Sequence, residues 1–237
     1  MLAPSLRPFA PRVARAMPAV VVALATASYA MAQSASSSAQ LLDRARARFA
    51  ATRTASAAFE QRIANPLTGR TLLSRGTFVQ RKPSRLAVSF TEPAGDRIVA
   101  DGTWLWLYLP STNPGQVLKL PAGESGTGGV DVAAMILDAP RGAVTTSDAG
   151  SATIAGRATR AIGLVPKAGS ELPYQKATVW LDTADASVRQ VLIVDEQGVE
   201  RTVTITRWSP NSPVADSAFR FVPPKGAKVV TDPLRGM

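Results

Sequence analysis

From Ala55 onward apolar and polar residues alternate with a period of two, in short runs cut apart by turn residues, and this constrains the fold more than any other feature. Turn chemistry sits at Asn65 to Gly69, Lys82 to Ser84, Pro93 to Gly95, Asp101 and Gly102, Pro110 to Gly115, Thr183 to Ala186 and Glu196 to Gly198. Between these turns the predicted strands are Ala57 to Ile63, Leu72 to Arg81, Arg85 to Glu92, Arg97 to Ala100, Thr103 to Leu109 and Gln116 to Leu120. Further along they are Ala158 to Val165, Gln175 to Asp182, Val188 to Asp195, Val199 to Trp208 and Arg220 to Val222. About eleven strands, most joined by short turns, predict a mainly β fold in which an antiparallel sheet curls into a barrel or sandwich. No self-similarity recurs at a period of about 20 to 50 residues, which argues against a propeller or solenoid.

Two segments carry the other period. In Ala39 to Thr52, Leu41, Leu42, Ala45 and Phe49 share one arc of a helix, with Arg44 and Arg48 flanking it on one side and Arg46 on the other, as in a helix packed on a sheet. Farther on, Asp131 can cap a short helix in which Val132 to Leu137 is apolar in nearly every direction. A helix apolar all round must be buried, so this one is expected over or inside the sheet. The preceding segment, Pro121 to Gly129, is rich in glycine and reads as a mobile loop.

The chemistry available to such a chain is narrow. It has no histidine and no cysteine, which removes the commonest general base, the Ser-His-Asp arrangement, thiol nucleophiles, disulfides and thiolate metal sites. Many carboxylates lie in or beside turns, and the pair most resembling a two-acid site, Asp182 with Asp185, is better read as turn structure. Gly126, Gly128 and Gly129 lack the Lys and Ser/Thr that would make a phosphate loop, and calcium-loop spacing is absent. Neither an enzyme, a metal nor a cofactor is expected.

The N-terminus carries Arg7, Arg12 and Arg15, a mostly apolar run from Ala16 to Ala27 and the small triplet Ala30-Met31-Ala32, the order of a secretory signal peptide cleaved after Ala32. Removing these 32 of 237 residues leaves 205, residues 33–237, expected to form a single domain free in solution outside the cytoplasm. The formal charge of +10 falls to +7 without the three arginines. In that compartment a basic surface meets lipid headgroups and acidic proteins, and no nucleic-acid-binding signature is present.

Apolar strand surface is abundant. Leu86, Val88 and Phe90 share one face of their strand, while Trp104, Trp106 and Tyr108 on one side oppose Leu105, Leu107 and Leu109 on the other. A strand apolar on both faces must be covered on both, by a second layer or by a bound ligand.

The landmarks Phe59-Glu60-Gln61, Gly76-Thr77-Phe78, Arg81-Lys82-Pro83, Glu92-Pro93, Val99-Ala100-Asp101-Gly102 and Leu105-Trp106-Leu107-Tyr108-Leu109-Pro110 resemble the outer-membrane lipoprotein carrier protein family, the periplasmic chaperone of the Lol sorting system. Asp195-Glu196-Gln197-Gly198 and Phe219 to Gly226 continue the match in the family's order. The resemblance implies a curved antiparallel sheet forming an unclosed barrel with a helical lid over an apolar cavity. It also implies a periplasmic monomer that takes the acyl chains of lipoproteins from an inner-membrane transporter and passes them to an outer-membrane receptor. The expected lining is Leu86, Val88, Phe90, Trp106, Met135 and Ile136, with Phe59, Phe78 and Phe221 as further members. The family usually has arginine before the proline at 83, where this chain has Lys82 preceded by Arg81. Lysine lacks arginine's planar fork of donors, so either Arg81 controls the lid from the other face of the strand or control differs here. A lipid-sensing regulatory domain of the envelope and a carrier of free lipid share this architecture and stand as the alternatives, whereas a hydrolase lacks a nucleophile and base pair.

Overall fold

The computed structural model describes residues 37–122 and 131–231. The signal peptide expected at residues 1–32 and the glycine-rich loop beyond Ala122 lie outside those residues. Residues 37–51 form helix α1, and its predicted apolar arc of Leu41, Leu42, Ala45 and Phe49 is buried. The helix ends where the Thr52 hydroxyl donates to the Arg48 carbonyl at 2.9 Å, satisfying one of the oxygens that a last turn leaves free.

Twelve strands follow: β1 (Thr54–Asn65), β2 (Arg70–Arg81), β3 (Arg85–Glu92), β4 (Ala94–Asp101), β5 (Trp104–Tyr108), β6 (Gln116–Pro121), β7 (Val144–Ile154), β8 (Arg157–Pro166), β9 (Lys176–Asp182), β10 (Val188–Val194), β11 (Glu200–Pro210) and β12 (Lys228–Val230). They make one sheet in the order β12-β6-β5-β4-β3-β2-β1-β11-β10-β9-β8-β7. The outermost strands β12 and β7 do not pair with each other, so the curved sheet stays an unclosed barrel. Neighbours are antiparallel throughout except β12, which runs parallel to β6. Register shifts between Ala58 and Phe59, between Arg75 and Gly76, and between Ser89 and Thr91 mark bulges, each of which bends its strand and sharpens the twist.

Helix α2 (Val132–Leu137) lies inside the concavity, near β10. As the sequence suggests, Asp131 caps it: the carboxylate accepts from the backbone N–H groups of Ala133 and Ala134 at 3.1 and 3.0 Å. The Gln80 side chain donates to the other oxygen at 2.6 Å, which ties the cap to β2.

The sheet departs from expectation at two places. Arg220 to Val222 is not a strand; it runs irregularly after a 3-10 turn at Asp216–Phe219, and the C-terminal strand is the short β12 instead. β7 was not foreseen, because its small and polar residues sit at an exposed sheet edge and give no apolar alternation.

Both sheet faces are covered. On the convex side Phe219 seals Ala87 and Val99, with Val79, Trp106 and Phe221 packed around them. On the concave side α1 and α2 join one large core. Toward β8 and β9 that core is solid, with Ile162, Leu164, Val179 and Leu181 fully buried. Toward β1 to β4 and β11 it is not.

Candidate functional site

A cavity of about 100 Å³ lies between the concave face and the two helices. Strand alternation builds its wall: odd-numbered residues of β1 (Ala57, Phe59, Gln61) face inward, opposite even-numbered residues of β2 and β3 (Phe78, Gln80, Leu86, Val88, Phe90). Phe59 meets Phe90 edge to face at 5.7 Å and lies 6.3 Å from Phe78, which in turn is 6.4 Å from Trp208. These separations are those of favourable aromatic pairs. Gly76 makes room for the cluster, since a Cβ there would lie 3.1 Å from both the Phe59 ring and the Phe90 Cα and closer still to the Ser89 carbonyl oxygen. From the helices, Ala45 and Phe49 of α1 and Val132, Ala133 and Leu137 of α2 close the space.

The structure brings five of the nine expected lining residues, Phe59, Phe78, Leu86, Val88 and Phe90, into this wall. Met135 and Ile136 pack in the same core through α2 without bordering the cavity, Ile136 being wholly buried. Trp106 and Phe221 stack on each other at 5.6 Å on the convex face. Both faces of β5 are apolar, so alternation alone could not say which one is concave.

The two candidate lid residues point opposite ways. Arg81 faces out, where it pairs with Asp216, donates to the Val214 carbonyl and lies 5.4 Å from the Phe219 ring, holding the C-terminal segment on the sheet. Lys82 reaches α1: its ammonium donates to the Phe49 carbonyl at 2.7 Å and sits 3.3 Å over the Phe49 ring. A cation at the last turn answers both the free carbonyl and the helix dipole. Burial lowers the Lys82 pKa, and Asp138 and Asp131 at the two ends of α2 oppose that shift. Asp131 is shifted upward by burial, against the pull of the Ala134 amide, Gln80 and Lys82. Lys82 therefore touches α1 and feels the charges of α2.

Several wall residues with polar groups escaped the sequence reading. Trp208 enters because of the β1/β11 bulge: Arg201, Val203 and Ile205 face inward, one extra residue follows, and Trp208 then pairs with inward Ala57. Arg201 itself carried a readable signal, an arginine in register with the apolar positions 199, 203 and 205. Its Nε donates to the Gln61 side-chain oxygen at 2.9 Å. Arg48 reaches Asp185 at 3.3 Å across the opposite rim. The Asp182 and Asp185 turn is bound up in structure, with Asp182 accepting from Arg157 and Arg189 and Asp185 from Ser187. Among the described residues no group of three or more carboxylates is placed to hold a metal.

The model of the family described as outer membrane lipoprotein carrier protein LolA matches residues 50–222. An outer-membrane lipoprotein carrier protein of Methylibium petroleiphilum is 27% identical over 180 residues, covering 75% of this chain and 83% of that protein. One from Xylella fastidiosa is 26% identical over 159 residues, covering 67% of this chain and 72% of its own length. Among solved structures, an uncharacterized conserved protein from Thermus thermophilus shares the fold with a TM-score of 0.51 at 16% identity, over 83% of this chain and 99% of its own.

Proposed function

The chain belongs to the outer-membrane lipoprotein carrier protein family, and on that premise we propose that it holds the acyl chains of lipoproteins in the cavity between sheet and helices and carries them from the inner to the outer membrane. In this reading residues 1–32 direct export, residues 33–237 work in the periplasm as one domain, and an inner-membrane transporter and an outer-membrane receptor are the partners. Among the described residues no helix is long and apolar enough to cross a membrane.

The observation that carries the reading is the cavity: walled by Phe59, Phe78, Leu86, Val88, Phe90 and Trp208, yet only about 100 Å³ in volume because α1 and α2 fill its mouth. Small-molecule pockets run to roughly 300–1,000 Å³, so cargo enters only as helix side chains leave. A carrier needs that competition. An acyl chain of about 16 carbons buried at ~0.8 kcal/mol per CH₂ gains on the order of 13 kcal/mol, too much for ready release of several chains. Returning Val132, Ala133 and Leu137 to the wall offsets part of that gain at handover. Lys82, bonded to α1 and close to the charges of α2, is the residue we assign to holding the helices down.

Native mass spectrometry of the protein purified from its own envelope tests the proposal. The expected adduct has the mass of a triacylated or diacylated protein. Adducts consisting of free lipid alone, or none at all after gentle release, would count against a lipoprotein carrier.

A further inference from the structure

Several donor nitrogens of the cavity wall have no protein acceptor among the described residues. Of the two arginines there, Arg48 is paired with Asp185. Arg201 has no carboxylate within salt-bridge distance among the described residues, and its one side-chain bond, Nε to the neutral Gln61, leaves both terminal nitrogens without a protein acceptor there. In register it stands between Ile63 of β1 and Ile193 of β10, an apolar setting for a cation. Burial lowers its pKa with no carboxylate near enough to oppose the shift. Nε of Arg48 and Nε1 of Trp208 are buried in the same wall with no partner among the described residues. The oxygens of Asp131, by contrast, are taken by Gln80 and two backbone amides.

Arg201 is half-buried and its terminal nitrogens keep contact with solvent, so water bonds them while the cavity is empty. A ligand that offers oxygen acceptors there replaces that water without leaving the cation unpaired in an apolar wall. Arginine suits oxygen acceptors because its planar fork can give two parallel bonds. Seven positions of β11 separate Arg201 from Trp208, roughly 20 Å at the rise of a strand, with Val203 and Ile205 between them. A head oxygen at one end and a long apolar body along the strand match that layout. Resting on the carrier reading above, we propose that Arg201 is the headgroup anchor of this cavity, seating the acyl oxygens of a long-chain lipid, either a carboxylate or an ester carbonyl, while the alkyl chain runs along β11 toward Trp208.

The test uses three probes with the same tail: hexadecanoate, methyl hexadecanoate and hexadecanol, titrated by calorimetry or tryptophan fluorescence into delipidated wild-type protein and the Arg201→Met variant. The wild type is expected to prefer the carboxylate or the ester over the alcohol by about tenfold or more, and the variant to lose most of that preference. Carboxylate preference would identify free fatty acid as the source, and ester preference an esterified chain such as a lipoprotein's. Equal affinities for all three probes in the wild type, or an undiminished preference in the variant, would overturn the anchor while leaving the cavity reading intact. No binding of any probe would overturn both. Should Arg201→Met fail to fold, Arg201→Gln takes its place, and ¹³C-carboxyl-labelled hexadecanoate bound to wild type gives a second readout. Beside the guanidinium its carboxyl must titrate no higher than in free solution; a raised pKa, as in a purely apolar pocket, would refute the contact.

Discussion

Two strand glycines provide a paired test of the cavity wall. A Cβ on Gly76 would lie well inside contact with the Ser89 backbone carbonyl and 3.1 Å from the Phe59 ring and the Phe90 Cα. A Cβ on Gly163 would also be too close to a neighbour, but that neighbour is the Ser147 hydroxyl at 2.8 Å, a group that rotates away. Neither glycine has a positive φ, so alanine brings no backbone strain. Replacing glycine by alanine at a compatible position stabilises by about 0.4–1 kcal/mol through the unfolded chain. At Gly163 that gain should survive. At Gly76 overpacking against hydrogen-bonded backbone costs about 1–3 kcal/mol or more and wins. The expected net effects are a loss of about 2 kcal/mol for Gly76→Ala, or about 4–8 °C in Tm for a domain of this size, and a change between zero and a small gain for Gly163→Ala. Because Phe59 and Phe90 must move to admit the methyl group, Gly76→Ala should also weaken binding of an apolar fluorescent probe, whereas Gly163→Ala should not. Urea denaturation and probe titration read both effects. Gly76→Ala within about 0.5 kcal/mol of wild type, or equal losses at the two positions, would show that the packing of the aromatic cluster is not what confines residue 76.

Val88→Glu and Phe90→Glu should cut apolar-probe binding while circular dichroism stays near wild type, because the helices that cover the cavity can lift and let water reach the charge; global unfolding of both would make these positions plain core. Joining α2 to β10, whose Cα atoms come within 8 Å, by an engineered disulfide should block lipid loading until reduced, and equal loading in both redox states would make α2 a fixed element. Asp182 should contribute to the acid limb of stability. Burial alone would raise its pKa, but hydrogen bonds from Arg157, the Ala184 amide and Arg189 outweigh this and lower it from 3.8 to about 2. With a depressed folded pKa, its stabilisation of about 2 kcal/mol is complete above the unfolded value and fades as pH falls from about 4 toward 2. Asp182→Asn should remove that slope, and parallel stability-pH curves for the two proteins would refute the assignment.

What the sequence made legible follows from how each residue's position is determined. Leu86, Val88 and Phe90 were readable because the turns at Lys82 to Ser84 and Pro93 to Gly95 fix both ends of β3, and one face of a strand so bounded is apolar. The side on which Trp106 would fall was not readable: β5 is apolar on both faces, and the choice is made by Phe219 and Phe221, more than a hundred residues away, when they cover the convex side. Trp208 was hidden for a different reason. Strict alternation from Arg201 puts it on the outer face, and only the extra residue of a bulge, invisible in composition, turns it inward.

Arg201 differs from all of these, because nothing about its position was hidden. It lies in phase with Val203 and Ile205, so alternation places an arginine on an apolar face, and local pattern and charge disagree there in the sequence itself. Such disagreements persist in folded proteins when a structural partner or a function compensates for them. For Arg48 the compensation is visible in Asp185, and for Asp131 in Gln80, the α2 amides and the nearby Lys82. At Arg201 the described residues supply only the neutral Gln61 oxygen, which cannot neutralise a guanidinium in an apolar wall. The terminal nitrogens of Arg201 are left to solvent, and in the anchor proposed above a ligand in the bordering cavity takes the place of that water.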